Sequence, residues 1–295
     1  MNAPIAFPLR PRLLAVTVAL CLMLPACAPD KSEPAAAAAT VASAATVADA
    51  APAAAASTDS AAPAEITGVP KGVTPEAKAV LDRMSAYMGT LKEFSIASRT
   101  SRDEVFDSGY KIQRNEQQTL LVQRPNHLRS TTSGDLGDRT FVYDGKNMVL
   151  YAGEKNAYAT VAAPDTIGKL VLGVLAAGID LPMVDVLYQA FDQTLTAEAT
   201  HGIVVGDGVV DGVLCDHLAF RQTNADWQLW VAKGDQPLPR KILITTRDTS
   251  DPQFESTLSW NLHPAINAGA FVFVPPKGAE SIPFAQPDAL VSTTP

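Results

Sequence analysis

From Phe94 to Ala162 the chain is a string of short alternating runs, each divided from the next by turn residues. Runs at 94–106, 110–124, 127–132, 139–143, 148–152 and 157–162 are punctuated by Asp107-Ser108-Gly109, Arg124-Pro125-Asn126, Asp144-Gly145-Lys146-Asn147 and Gly153-Glu154-Lys155-Asn156. Gly, Asn and Asp supply the tight turns of hairpins. Connections this short join only antiparallel neighbours, because parallel strands need a crossover of about a dozen residues or more. The sequence therefore predicts an antiparallel meander.

Strands are expected again at 203–205, 213–221, 227–232, 239–247, 254–262 and 271–274. In the run 254–262, Phe254, Leu258, Trp260 and Leu262 fall on one face and Glu255, Thr257, Ser259 and Asn261 on the other. That alternation describes a sheet with one dry and one wet side. Two helical stretches interrupt the strands. Thr74 can cap a first helix with Pro75 at its first position and Glu76 in its first turn. Ala77, Val80, Leu81, Met84, Tyr87, Met88 and Leu91 then form one apolar face. A second stretch, 165–191, begins at Asp165 or Thr166 and carries Ile167, Leu170, Val171, Val174 and Leu175 as a stripe that Leu172 widens. Gly178 is a stop, and Pro182 opens a short helix with Met183, Val184, Val186, Leu187 and Phe191. Helices this apolar need more than one partner surface. The expected class is α+β: an antiparallel open half-barrel of about ten strands, with an N-terminal helix and a helical lid inserted between its halves.

The first 64 residues follow other rules. Arg10 and Arg12 precede an apolar stretch, 13–26, which is shorter than the roughly 20 residues a bilayer core requires. It ends in Leu24-Pro25-Ala26-Cys27, which resembles a bacterial lipoprotein signal: 1–26 is removed and Cys27 becomes the lipid attachment. Soluble export is the alternative, because Ala26-Cys27-Ala28 also satisfies the small-x-small cleavage rule, although Pro29 would then follow the scissile bond. Ala28, not Asp, stands next to Cys27, which favours the periplasmic face of the outer membrane over inner-membrane retention. Residues 28–64 hold Val41 and Val47 as their only larger apolar side chains. Such a composition does not bury enough surface to offset the entropy of ordering. The expected organisation is a signal at 1–26, a lipidated Cys27 with an Ala/Pro/Ser/Thr-rich tether to 64, and a folded domain at 65–295.

Charge and cysteine content exclude several functions. The chain has 23 basic and 31 acidic residues, and removal of Arg10 and Arg12 makes it more acidic still. A surface of that sign repels phosphates, which argues against nucleic acid as a partner. Cys21 leaves with the signal and Cys27 carries lipid, so Cys215 has no disulfide partner.

Three segments carry a family resemblance: Asp211-Gly212-Val213-Leu214-Cys215-Asp216-His217-Leu218-Ala219-Phe220; Asp226-Trp227-Gln228-Leu229-Trp230-Val231 with Pro239-Arg240-Lys241-Ile242; and Phe271-Val272-Phe273-Val274-Pro275-Pro276-Lys277-Gly278-Ala279. With the order of elements, they resemble the periplasmic lipoprotein-carrier superfamily of the LolA and LolB type, in particular an uncharacterised periplasmic branch. The resemblance spans roughly 75–285 and implies a half-barrel capped by helices around an apolar cavity for acyl chains. It also implies a lipid or acyl-chain ligand, or a protein partner where the same fold serves as a regulatory sensor.

An acyl chain needs aliphatic and aromatic walls, since each buried methylene contributes about 0.8 kcal/mol. The candidate walls are Leu120, Val122, Phe141, Tyr143, Leu150, Leu170, Val174, Leu175, Met183, Leu187, Trp230, Leu258 and Trp260; the competing reading is that they pack together as core. Cys215 and His217 lie two apart on an expected strand and share a face, but His127, His201 and His263 sit in separate segments without metal-ligand spacing. They read as a structural Cys and a strand His. The run 206–212 is acidic and Gly-rich but lacks the alternating ligands and distal Glu of a calcium loop, and reads as a hairpin turn. No nucleophile elbow, phosphate-cradling loop or paired-His motif is present. A binding protein without cofactor, metal or catalysis is expected.

Overall fold

The computed structural model describes residues 68–176, 196 and 198–284. The expected signal segment, Cys27, the expected tether, and the expected second lid helix with Met183 and Leu187 lie outside the described residues, as does the side chain of Leu175. The elements in chain order are β1 (Gly72–Val73), α1 (Pro75–Thr90), β2 (Glu93–Val105), β3 (Lys111–Gln123), β4 (His127–Gly134), β5 (Arg139–Tyr143), β6 (Asn147–Ala152), β7 (Ala157–Ala162), α2 (Ile167–Ala176), β8 (His201–Val210), β9 (Val213–Arg221), β10 (Ala225–Ala232), β11 (Pro239–Thr246), β12 (Gln253–Asn261) and β13 (Glu280–Ser281).

All strands among the described residues join one open 13-stranded sheet in the order β1-β8-β9-β10-β11-β12-β2-β3-β4-β5-β6-β7-β13. Two antiparallel meanders, β2 to β7 and β8 to β12, meet where β12 pairs with β2, with Leu258 opposite Ser98 and Trp260 opposite Ile96. Among the described residues only the two-residue edge strands pair in parallel, β1 with β8 and β13 with β7. These two explain why the sheet exceeds the roughly ten strands expected, since two residues carry no readable alternation.

Two expectations need correction. The segment 271–274 is not a strand. It runs over the sheet face of Arg129, where Phe271 packs on His127 with ring centroids 5.1 Å apart, and Phe273 lies 5.8 Å from Tyr151 and 5.4 Å from Tyr158. Alternating aromatics thus anchor a strap rather than a ladder. The run 206–212 is mostly strand, because β8 continues to Val210 and the turn is confined to Asp211 and Gly212, at φ of 45° and 78°. An Asp-Gly pair with both φ angles positive is the hairpin turn that matches strand twist, and it places Val210 opposite Val213.

One sheet face is covered by the helices. Thr74 caps α1 by accepting from the Ala77 amide at 3.3 Å, and Ala77, Val80, Leu81, Met84 and Met88 are buried. Thr166 accepts from the Lys169 amide at 3.3 Å at the start of α2, whose Ile167, Leu170, Val171 and Val174 are buried. The Ile167 amide donates to the Pro125 carbonyl at 2.8 Å, tying α2 to the β3–β4 turn. Tyr143 donates its hydroxyl to the Pro164 carbonyl just before α2. Facing the helices are Phe94 and Ile96 of β2, Leu120 and Val122 of β3, Leu128 of β4, and Leu218, Leu229 and Leu258 from the second meander. Burying each such side chain contributes about 1.5–3 kcal/mol.

Candidate functional site

Most of the expected cavity walls are core. Leu120, Val122, Tyr143 and Val174 are fully buried, Leu170, Leu258 and Phe141 nearly so, and all belong to one hydrophobic cluster with α1 and α2. Leu150 and Trp260 differ. Leu150 lies opposite Phe141 and remains 36% exposed. Trp260 is half-buried against Phe94, with centroids 5.4 Å apart, and its indole N–H donates to the Pro239 carbonyl at 2.8 Å. Trp230 is not brought to the others. It stacks on His217 at 4.2 Å with Lys241 Nζ 5.2 Å from its ring, while Trp227, Leu229 and Val231 take the helix-covered face. The two tryptophans of β10 have opposite parity, and Trp227 is the one turned inward.

Trp227 itself was missed in the sequence. It stacks on Phe220 at 3.8 Å and 10°, and Phe220 lies opposite Gly202, where a Cβ would come within 2.6 Å of the ring. Only glycine leaves room for that aromatic pair. From Trp227 the apolar face runs across β11 and β12 through the half-buried Ile244 to Phe254, which is 36% exposed. Half-buried Ile242 lies beside them.

A polar belt also crosses the covered face. Ser98, Gln118, Ser130, Thr132 and Ser256 are buried at the parity of Ile96 and Leu120. Gln118 donates to Ser130 at 2.6 Å, and the Thr100 and Ser256 hydroxyls are 3.0 Å apart. Ser98 Oγ and Trp227 Nε1 are buried without a hydrogen-bond partner. Burying a polar group unpaired costs about 1–3 kcal/mol, so each marks a place where the interior is not self-sufficient. The signal was available: a polar residue at the dry parity of a strand.

Arg124, at the end of β3, was also missed. Its guanidinium carbon lies 5.9 Å over the Phe94 ring, its Nε is buried without a partner, and burial pushes its pKa below the ordinary value. Among the described residues no carboxylate pairs with it, whereas farther along the same face Arg114 pairs with Glu104 at 2.8 Å and Arg139 with Glu116. A desolvated cation without a counter-charge is costly to maintain. Arg124, Phe94 and Trp260 thus form a line from a charge through two aromatic rings, and Trp260 shares its strand face with Phe254 at the rim of β11 and β12.

Cys215 and His217 have separate partners. The Cys215 thiol lies 3.4 Å from the Val213 carbonyl and burial pushes its pKa up, while His217 Nε2 contacts Gln228 Oε1 at 2.9 Å. A protonated thiol bound to backbone is a poor nucleophile. Among the described residues no group of three His, Cys, Asp or Glu side chains is placed to hold a metal ion, and no helix is long and apolar enough to cross a membrane.

Solved structures similar to this chain include LprF from Mycobacterium bovis, at 14% identity and a TM-score of 0.43 over 66% of this chain and 98% of that one. The lipoprotein LppX from Mycobacterium tuberculosis is similar at 12% identity and a TM-score of 0.39, covering 65% of this chain and 99% of that one. A LolA superfamily protein from Nitrosomonas europaea is similar at 10% identity and a TM-score of 0.32, covering 67% and 97%. No curated protein matches the chain. The family model for predicted periplasmic proteins, DUF2092, matches residues 77–285, which include the covered face, Arg124 and all three segments that carry the sequence resemblance. The chain belongs to the DUF2092 family of predicted periplasmic proteins.

Proposed function

We propose that this domain is a non-catalytic periplasmic binding module that carries or senses an anionic amphiphile on its helix-covered face, and that a lipid on Cys27 holds it at the outer membrane. The observation that carries this reading is Arg124, a half-buried cation whose Nε is shut away from water beside Phe94 and which has no counter-charge among the described residues. A carboxylate or phosphate headgroup supplies that charge, and a charge-assisted hydrogen bond is worth about 1.5–3 kcal/mol. The tail follows Trp260 toward Ile242, Ile244 and Phe254, the half-open apolar rim. Trp260 and Phe254 are six positions apart on β12, about 20 Å at 3.3–3.4 Å per residue, which suits a long acyl chain. Ser98 Oγ and Trp227 Nε1 lie on this face as further hydrogen-bonding points.

The test is native purification from the membrane fraction, lipid extraction and mass spectrometry, followed by titration with a fluorescent fatty acid. Stoichiometric anionic acyl species are expected, with probe binding weakened about tenfold to a hundredfold in Arg124→Gln, the range that 1.5–3 kcal/mol corresponds to. A lipid-free protein that takes up no probe ends this reading. A protein partner is the second reading, favoured by the β8–β9 hairpin, where Val209 (68% exposed) and Leu214 (49% exposed) sit directly opposite each other.

A further inference from the structure

The face opposite α1 and α2 carries a groove of about 490 Å³ that the amphiphile reading leaves unused. Its floor is a row of short side chains in direct register across β12, β2, β3, β4 and β5: Ser259, Ala97, Thr119, Thr131 and Thr140. These positions have the parity opposite to Leu258, Ile96, Leu120 and Phe141, so the groove and the core are the two sides of the same strands. Short residues on five adjacent strands leave a trough where larger ones would fill it. Gln117, one step farther along β3, adds an amide to the wall.

The lining decides what such a trough can hold. Arg99 pairs with Asp211 at 2.9 Å, and Arg139, whose position in the register belongs to the covered face, pairs with Glu116. No lining cation is therefore left for a phosphate, and no aliphatic wall exists for an acyl chain. What remains is a surface of hydroxyls and an amide, each able both to donate and to accept, with the Asp138 carboxylate among the lining groups as an acceptor. The same cross-strand row continues past Thr140 to Tyr151 and Tyr158, whose rings are braced by Phe273. Half-buried aromatic rings beside a hydroxyl-lined trough suit sugar rings, which have apolar faces and polar edges.

We propose that this groove binds a neutral glycan strand, lying across the strands with its hydroxyls on Thr119, Thr131 and Gln117 and one ring against the tyrosine pair. The match is one of charge as well as shape: a neutral, hydroxyl-rich polymer meets a groove whose arginines are already paired. The proposal is independent of the amphiphile site, which occupies the opposite face.

The experiment uses the purified protein with chitotetraose and maltotetraose as soluble probes and isolated peptidoglycan sacculi in co-sedimentation. The expected result is saturable binding of at least one neutral tetrasaccharide, with amide shift changes confined to β2–β5. The double variant T119V/T131V keeps volume and removes both hydroxyls; it should weaken binding at least tenfold while the melting temperature and fatty-acid titration stay unchanged. Failure of both tetrasaccharides and the sacculi to bind overturns the proposal. So does binding that is unaffected by T119V/T131V, or shift changes that map to β8–β11.

Discussion

Two neighbouring residues of one strand, Thr119 and Leu120, belong to different worlds. Leu120 is fully buried under α1 and α2, opposite Ile96; Thr119 is exposed, opposite Ala97, in a trough of short hydroxyl side chains. The covered face is where the fold obtains its stability, since burial there removes apolar surface from water. The open face is free of that duty across β12, β2, β3, β4 and β5, so its residues stay small and polar without cost to the fold. The contrast teaches that a single sheet of this kind offers two chemically distinct surfaces, one greasy and interrupted by a polar belt, the other wet along the row from Ser259 to Thr140.

The largest expected effect tests that division directly. Leu120→Ala should destabilise the domain by about 2–5 kcal/mol, the range for truncating a fully buried leucine. Thr119→Ala, one residue away, should stay within about 0.5 kcal/mol. Urea unfolding of both variants checks this, and equal losses would erase the distinction between the faces.

How far the sequence reached follows the same division. β5, β7 and β9 were legible to the residue and α1 to its cap, because strong alternation, turns such as Asp144-Gly145 and the Thr74-Pro75-Glu76 start are local signals. The dry side of β12 was legible too. The site was less so. Alternation shows which side chains share a face but not whether that face is filled, so Leu120, Val122 and Leu258 were read with an open question that only packing answers. Trp230 was placed with them because bulk alone does not separate two tryptophans of opposite parity on one strand. Arg124 follows a strand beside a proline and shows its meaning only once Phe94 lies beneath it and no carboxylate among the described residues pairs with it. The strap over 271–274 depends on His127, Tyr151 and Tyr158, all distant in sequence.

A second, smaller effect sharpens the comparison through pH. Tyr143 is buried on the covered face, and its pKa is pushed up to about 12 by burial first and then by the charges of Asp165 and Asp144. The unfolded chain releases this proton near pH 10. Stability from the neutral phenol is therefore complete below about pH 10 and is lost as pH rises from there through about 12. Tyr143→Phe removes the bond to the Pro164 carbonyl, costing about 1 kcal/mol at neutral pH. It should also flatten the alkaline limb of the stability curve. Melting curves from pH 8 to pH 12 read both effects, and an unchanged limb in the variant would assign the alkaline loss to other groups.

The smallest effect belongs to the open face. Arg99 and Asp211 pair at 2.9 Å with 64% and 42% of their side chains exposed, so water competes for both charges and salt screens what attraction is left. Arg99→Ala should change stability by no more than about 0.5 kcal/mol, with little difference between low salt and about 1 M salt. A loss several times larger would make this pair a structural clasp between β2 and the β8–β9 turn, and the wet face would then share in holding the fold together. If the loss is small, as exposure requires, Arg99 is free to serve as a boundary of the groove. Its removal should then leave the fold intact and change only what the trough admits, by uncovering the Asp211 carboxylate and turning a neutral rim acidic.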